Sequence, residues 1–190
     1  MSLALVSLAF AGAASAQSLA GVNARLVRPL DSQSATAGQA VAVKLDASVK
    51  TTDGVKLPKG TQLIGKVAAV TASQNGGPAS VSVVFTSAQL KGGKQIPVKA
   101  TLLAAYPASA NTDAESADQS IVAVPEHVNS DHTVDQEPGA LPGITLTAAV
   151  KDPTSGTFAK TAGNFKLSAG TFLQVGVAPA ASTGATSAAE

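Results

Sequence analysis

The stretch LPKGTQLIGKV, Leu57 to Val67, reads as a corner followed by a strand. Leu57 closes one strand, Pro58 fixes the backbone, and Gly60 supplies the freedom a tight turn needs. From Thr61 the residues alternate, with Leu63, Gly65 and Val67 on one face. A glycine inside such a strand predicts a bulge or the close approach of another backbone. Far downstream the chain repeats the device as KLSAGTFLQVGV, Lys166 to Val177, with Leu167, Gly170 and Thr171 ahead of Leu173, Val175 and Val177. Two corners that each feed an alternating strand predict a barrel or sandwich with internal pseudo-symmetry.

Working outward, the period stays near two, the mark of half-buried strands. Val41, Val43 and Leu45 share one face, as do Val81, Val83 and Phe85. Ile96, Val98, Ala100 and Leu102 form a third such set, and Ile144, Leu146, Ala148 and Val150 a fourth. Between them stand turn signals: Asp53-Gly54, Asn75-Gly76-Gly77-Pro78, Gly92-Gly93 and Pro142-Gly143. Pro97 lies inside a strand pattern and predicts an edge or a bulge, because it has no N–H to give the ladder.

Composition agrees with that fold class. Apolar residues make up 45% of the 190, but aromatics only 3% and charged residues 13%. The core must be Val, Leu, Ile and Ala with Phe85, Phe158, Phe165 and Phe172, side chains that suit a sheet. The chain is expected to be all-β, a small barrel or sandwich in one domain over residues 17–177. Residues 105–140, with little alternation, read as a long acidic loop insertion, and 178–190 as a disordered tail.

Leu3 to Ala14 is an uncharged apolar run, and Ala14-Ser15-Ala16 offers small residues for a signal peptidase. Residues 1–16 are therefore expected to be a signal peptide and the protein periplasmic or secreted. No positive charge precedes the run, which points to a start a few residues upstream. There is no cysteine, hence no disulfide and no lipid-anchoring thiol. No later run has the length and apolarity of a transmembrane helix.

DGVKLPKGTQLIGKV followed by VSVVFTSAQLKGGKQIPVKA resembles the C-terminal β-barrel domain of the VirB10/TrbI family of type IV secretion proteins. PGALPGITL and FKLSAGTFLQVGV follow in the order of that pattern. Nearer still is a resemblance to small secreted β-domain proteins of unknown function from environmental bacteria, acidobacteria among them, which share the GxxLPKGTxLxGxV corner and a closing LxxGTxLxV strand. The resemblance spans Ala37 to Val177 and implies a β-barrel at the cell envelope. It carries no functional residue with it, because its motifs are turn and core positions. The membrane anchor, the Pro-rich spacer and the apolar helical hairpin of the secretion channel have no counterpart here.

Chemistry-bearing residues gather in PEHVNSDHTVDQE, Pro125 to Glu137. Glu126, His127, Asp131, His132 and Asp135 are the candidate ligands for a divalent ion such as zinc, since imidazole and carboxylate suit it. A metal-binding protein or metal-dependent hydrolase is thus the alternative reading. The spacing of the two histidines matches neither helical face, and no HExxH is present. There is no GxSxG elbow, no phosphate-cradling glycine motif and no other cofactor motif, so no cofactor is expected. A chain without Trp and with one Tyr is poorly equipped to stack sugars.

Charge is unevenly placed. Residues 1–100 carry ten basic and three acidic side chains, whereas 101–150 carry seven acidic and none basic. Only Arg25 and Arg28 are arginines and no aromatics interleave with the lysines, which argues against nucleic acid as partner. Lys56, Lys59, Lys66, Lys91, Lys94 and Lys99 could face an anionic envelope polymer or simply water. Aromatic poverty also disfavours an outer-membrane pore. The sequence therefore predicts an exported, non-enzymatic β domain that binds or scaffolds another envelope protein or polymer, by shape or by strand addition at an open edge such as that of Pro97.

Overall fold

The computed structural model describes residues 19–51, 54–108, 133–135, 141–149 and 156–180. Every regular element among them is a strand: β1 (Ala20–Leu26), β2 (Leu30–Asp31), β3 (Ala40–Leu45), β4 (Val49–Lys50), β5 (Lys56–Leu57), β6 (Gln62–Thr71) and β7 (Ala79–Gln89). Next come β8 (Gln95–Tyr106), β9 (Thr133–Asp135), β10 (Thr145–Ala149), β11 (Gly156–Lys160), β12 (Lys166–Leu167) and β13 (Phe172–Pro179). Six of them close an antiparallel barrel in the order β6-β3-β1-β13-β8-β7, with β7 returning to β6. The fold is all-β, and of barrel and sandwich it is the barrel.

A second sheet grows from β7. Its Phe85–Gln89 half pairs with β8, whereas its Ala79–Val83 half pairs with β11, which carries β10 and then β9. The branch point is occupied by Gly156, opposite Val83. A Cβ there would lie 2.8 Å from a Leu102 methyl group, so glycine lets β11 enter where β8 peels away.

The barrel is pseudo-symmetric about a point between Arg25 and Lys44, which face each other across β1 and β3. One step along, Ala24 pairs with Leu45 on one side and Leu26 with Val43 on the other. Both corners then use one bonding scheme. Leu45 N–H donates to Thr61 O (2.9 Å) and Gly60 N–H to Leu45 O (2.8 Å); Leu26 N–H donates to Thr171 O (2.9 Å) and Gly170 N–H to Leu26 O (2.8 Å). Gly60 and Gly170 have φ of +86° and +83°, the left-handed region that penalises a Cβ. The bulges match too. The β6–β7 register shifts at Ile64/Gly65 and the β13–β8 register at Gln174/Val175, leaving Thr86 and Leu103 as the extra residues.

Alternation delivers the expected core. Val41, Val43, Leu45, Val81, Val83, Phe85, Leu102, Leu146, Phe158 and Phe165 are buried in one core, whereas Phe172, expected there too, is buried on the opposite face of its strand, across from Arg25. Gly65 shows the close approach its position predicts: a Cβ would fall 2.2 Å from the carbonyl oxygen of Val84. The turn glycines Gly54, Gly76, Gly93 and Gly143 all have positive φ.

Three expectations change. Ala105 and Tyr106 belong to β8 and residues 133–135 to β9, so the segment 105–140 is not loop throughout. The bulge at Leu103 resets the alternation there, which hides the last turns of β8 from a period-two reading. Ala178 and Pro179 belong to β13 and Ala178 is buried, so the domain runs past residue 177. β8, which carries Pro97, is not an edge strand, because it lies between β7 and β13, and of the two readings of Pro97 the bulge is the one found. Pro97 sits beside the Phe85/Ser87 register shift, just beyond the last β13 partner, Val98, where a missing N–H is tolerated. Residues 1–18, proposed as the signal, and 181–190 of the tail lie outside the described residues.

Candidate functional site

The inside of the barrel offers no site. Leu26, Val43, Phe85, Leu102, Phe158 and Leu173 meet around a void of about 10 Å³ whose wholly apolar lining gives a water no polar partner. A filled apolar lumen also leaves no aqueous path along the axis, the opposite of a porin interior. Of the buried polar side chains, Thr61, Thr171 and Ser32 serve the two corners, and Thr51 closes the turn between β4 and β5.

Of the candidate metal ligands, Glu126, His127, Asp131 and His132 lie outside the described residues. Asp135 ends β9, opposite Thr147 of β10, and is thereby tied to the branch sheet. Among the described residues no three His, Cys, Asp or Glu side chains gather as a metal group would.

Among the described residues the charge is one-sided. Twelve of the thirteen lysines and arginines lie among the described residues, against only Asp31, Asp46 and Asp135 of the twelve acids. The one ion pair there joins Arg25 Nε to Asp46 Oδ2 at 2.9 Å. The remaining lysines carry their charge without a carboxylate partner in that set.

Strand register gathers some of these groups into a line. Arg25 faces Lys44, Lys44 faces Gln62, Gln62 faces Gln89 and Gln89 faces Gln95, each directly across a strand pair. Paired residues share a face, and this one is the barrel exterior. In the other direction Arg25 faces Phe172, and its guanidinium lies 5.8 Å from the Phe172 ring centre. Phe172 in turn meets the Tyr106 ring at 5.9 Å. The glycine corner brings in a further cation. A Cβ on Gly60 would lie 2.8 Å from Cε of Lys91 and 3.8 Å from Cε of Lys44, so both lysine stems cross the bare backbone of the turn. Lys59 is exposed in that turn, and Lys94 shares the 90–94 turn with Lys91.

Of the lysines singled out from sequence, Lys59, Lys91 and Lys94 come together at this end of the barrel. Lys56 lies on β5 opposite Lys50, Lys66 lies further along β6, and Lys99 stands on β8 opposite Ala178. Lys44 and the glutamine row were not foreseen. Their signal is register alone, which spacing along the chain does not encode. No protein-family model matches the chain, and no curated protein matches it.

Proposed function

We propose that the chain is an exported, non-enzymatic β-barrel module that binds or scaffolds another component of the cell envelope through its outer surface. The observation that carries this reading is the contrast between a tightly packed interior and an exterior on which, among the described residues, lysines and arginines far outnumber acids and only Arg25 is ion-paired. A partner can reach only the outside, and there the barrel presents cations and amides on rigid strands. The apolar run ahead of Ala14-Ser15-Ala16 supports export. The likeness of the two corners to the VirB10/TrbI barrel supports an envelope setting, as does the nearer likeness to small secreted proteins of environmental bacteria.

The test is fractionation followed by native sizing of the tagged protein from gently extracted envelopes. Recovery outside the cytoplasm in a particle larger than the monomer is the expected result. A cytoplasmic monomer would sink the reading. The metal-site alternative rests on Glu126, His127, Asp131, His132 and Asp135 and is addressed separately: zinc uptake that is lost on changing both histidines to alanine would establish it.

A further inference from the structure

Resting on the reading of an envelope-binding module, we propose that its partner is a linear acidic polysaccharide, bound along the exterior row from Lys44 to Gln95 with Lys91 beside it. Each step of that row is one strand spacing, so the four positions Lys44, Gln62, Gln89 and Gln95 extend about 14 Å over adjacent strands. Ammonium groups stand at one end and three carboxamides follow. A carboxylated sugar polymer offers a matching set, carboxylates for the lysines and hydroxyls for amides that both donate and accept, so its binding here is ionic and hydrogen-bonded and needs none of the aromatic stacking for which this chain is poorly equipped.

Three features favour this partner. The first is charge complementarity: Lys44 and Lys91 converge over Gly60, and among the described residues neither has a carboxylate partner. Two like charges brought together without a counter-ion raise the local positive potential and favour an anion between them. The second is the choice of cation. Lysine acts as a point charge that a single carboxylate satisfies, without the two-pronged geometry that arginine would impose on the anion. Here the one arginine in line, Arg25, is already bonded to Asp46. The third is rigidity. The row lies on the closed barrel, and Gly60 leaves room for the Lys91 stem to lie flat, where any Cβ would displace it.

The experiment is binding of the full chain to polygalacturonate, with polyphosphate and neutral dextran as comparison probes. Expected is salt-sensitive binding to polygalacturonate, weakened roughly tenfold in the double variant K44Q/K91Q. The variant K50Q/K166Q, with the same loss of charge off the row, should bind as the parent does. All four lysines lie at the surface, so circular dichroism and melting should be unchanged. A variant Q89A/Q95A should lose preference for polygalacturonate over polyphosphate while keeping its charge. The proposal is overturned if polygalacturonate does not bind, if both lysine pairs matter equally, or if polyphosphate binds as tightly. It is also overturned if binding emerges only after Asp113, Glu115 and Asp118 are changed to amides, for then the chain's own acidic segment is the occupant. Fractionation decides the envelope reading independently of every one of these results.

Discussion

Thr61 and Thr171 perform the same task at opposite corners of the barrel. Each hydroxyl donates at 2.7 Å to the carbonyl three residues back, Pro58 in one case and Ser168 in the other, and each threonine is buried. The bond fixes the turn just before its strand enters the sheet. Replacing threonine by valine keeps the volume and removes the donor. The carbonyl retains the longer bond from the same residue's N–H, at 3.1 Å. Each of T61V and T171V should therefore cost about 1–2 kcal/mol, with T61S and T171S costing less. Urea unfolding at unchanged slope measures this. Sensitivity at one corner alone would show that the two share geometry but not energetic weight.

Glycines that look alike in the sequence should differ sharply when given a side chain. At Gly65 the new carbon meets the Val84 backbone at 2.2 Å and the Phe85 ring at 2.9 Å, atoms that cannot move without disturbing the β6–β7 pair. G65A should cost about 3 kcal/mol or more. At Gly156 the obstacle is the Leu102 side chain, which can change rotamer, so G156A should cost roughly 1–3 kcal/mol. Gly92 has nothing within 4 Å and no positive φ, and G92A should fall within about 0.5 kcal/mol of the parent. Thermal melts of the three variants give the ranking, and a tolerant Gly65 would contradict the close approach.

That ranking also shows what a sequence can disclose. Gly65 is legible as special because it interrupts a clean alternation, and the corners are legible because Gly-Thr recurs ahead of apolar runs. The match of VNARL, Val22 to Leu26, with VAVKL, Val41 to Leu45, carries the same pseudo-symmetry in a form too short to stand alone. The branch at β7 has no such signal, since Val81 and Val83 look the same whether their neighbour is β8 or β11. Nor does the Lys44–Gln95 row, because the pairing of Gln62 with Gln89 follows from the β6–β7 register shifts at Ile64/Gly65 and Val67/Ala69 and not from spacing along the chain. Composition shows only that basic residues concentrate in the first hundred positions; pairing says which lysines share a face.

At the centre of the pseudo-symmetry two cations face each other, Arg25 and Lys44, and Asp46 relieves the clash by pairing with Arg25. The pair is partly exposed, so its direct worth is small, about 0–1 kcal/mol. D46N should nevertheless destabilise more than R25Q, because it leaves like charges opposed across the strands. Adding K44Q to D46N should recover part of the loss, and added salt should shrink every difference. A double-mutant cycle in urea at low and high salt checks the signs. Additive effects of D46N and K44Q would mean that the two cations do not sense each other.

Ser32, fully buried behind β2, holds the second corner from below. Its hydroxyl accepts from the Phe165 N–H at 2.9 Å and lies 3.2 Å from Asn164 Oδ1, to which it donates. The same Asn164 oxygen accepts from the Ser73 N–H at 2.8 Å. One hydroxyl and one carboxamide thus tie β2, the turn after β6 and the approach to β12. S32A would strand the Phe165 N–H in a dry setting, at a cost of about 1–3 kcal/mol. N164A removes an acceptor but leaves Phe165 bonded to Ser32, and should cost less. Hydrogen exchange separates the two: the Phe165 amide should lose protection in S32A and keep most of it in N164A. Equal loss in both would mean that the carboxamide, not the hydroxyl, holds the corner in place.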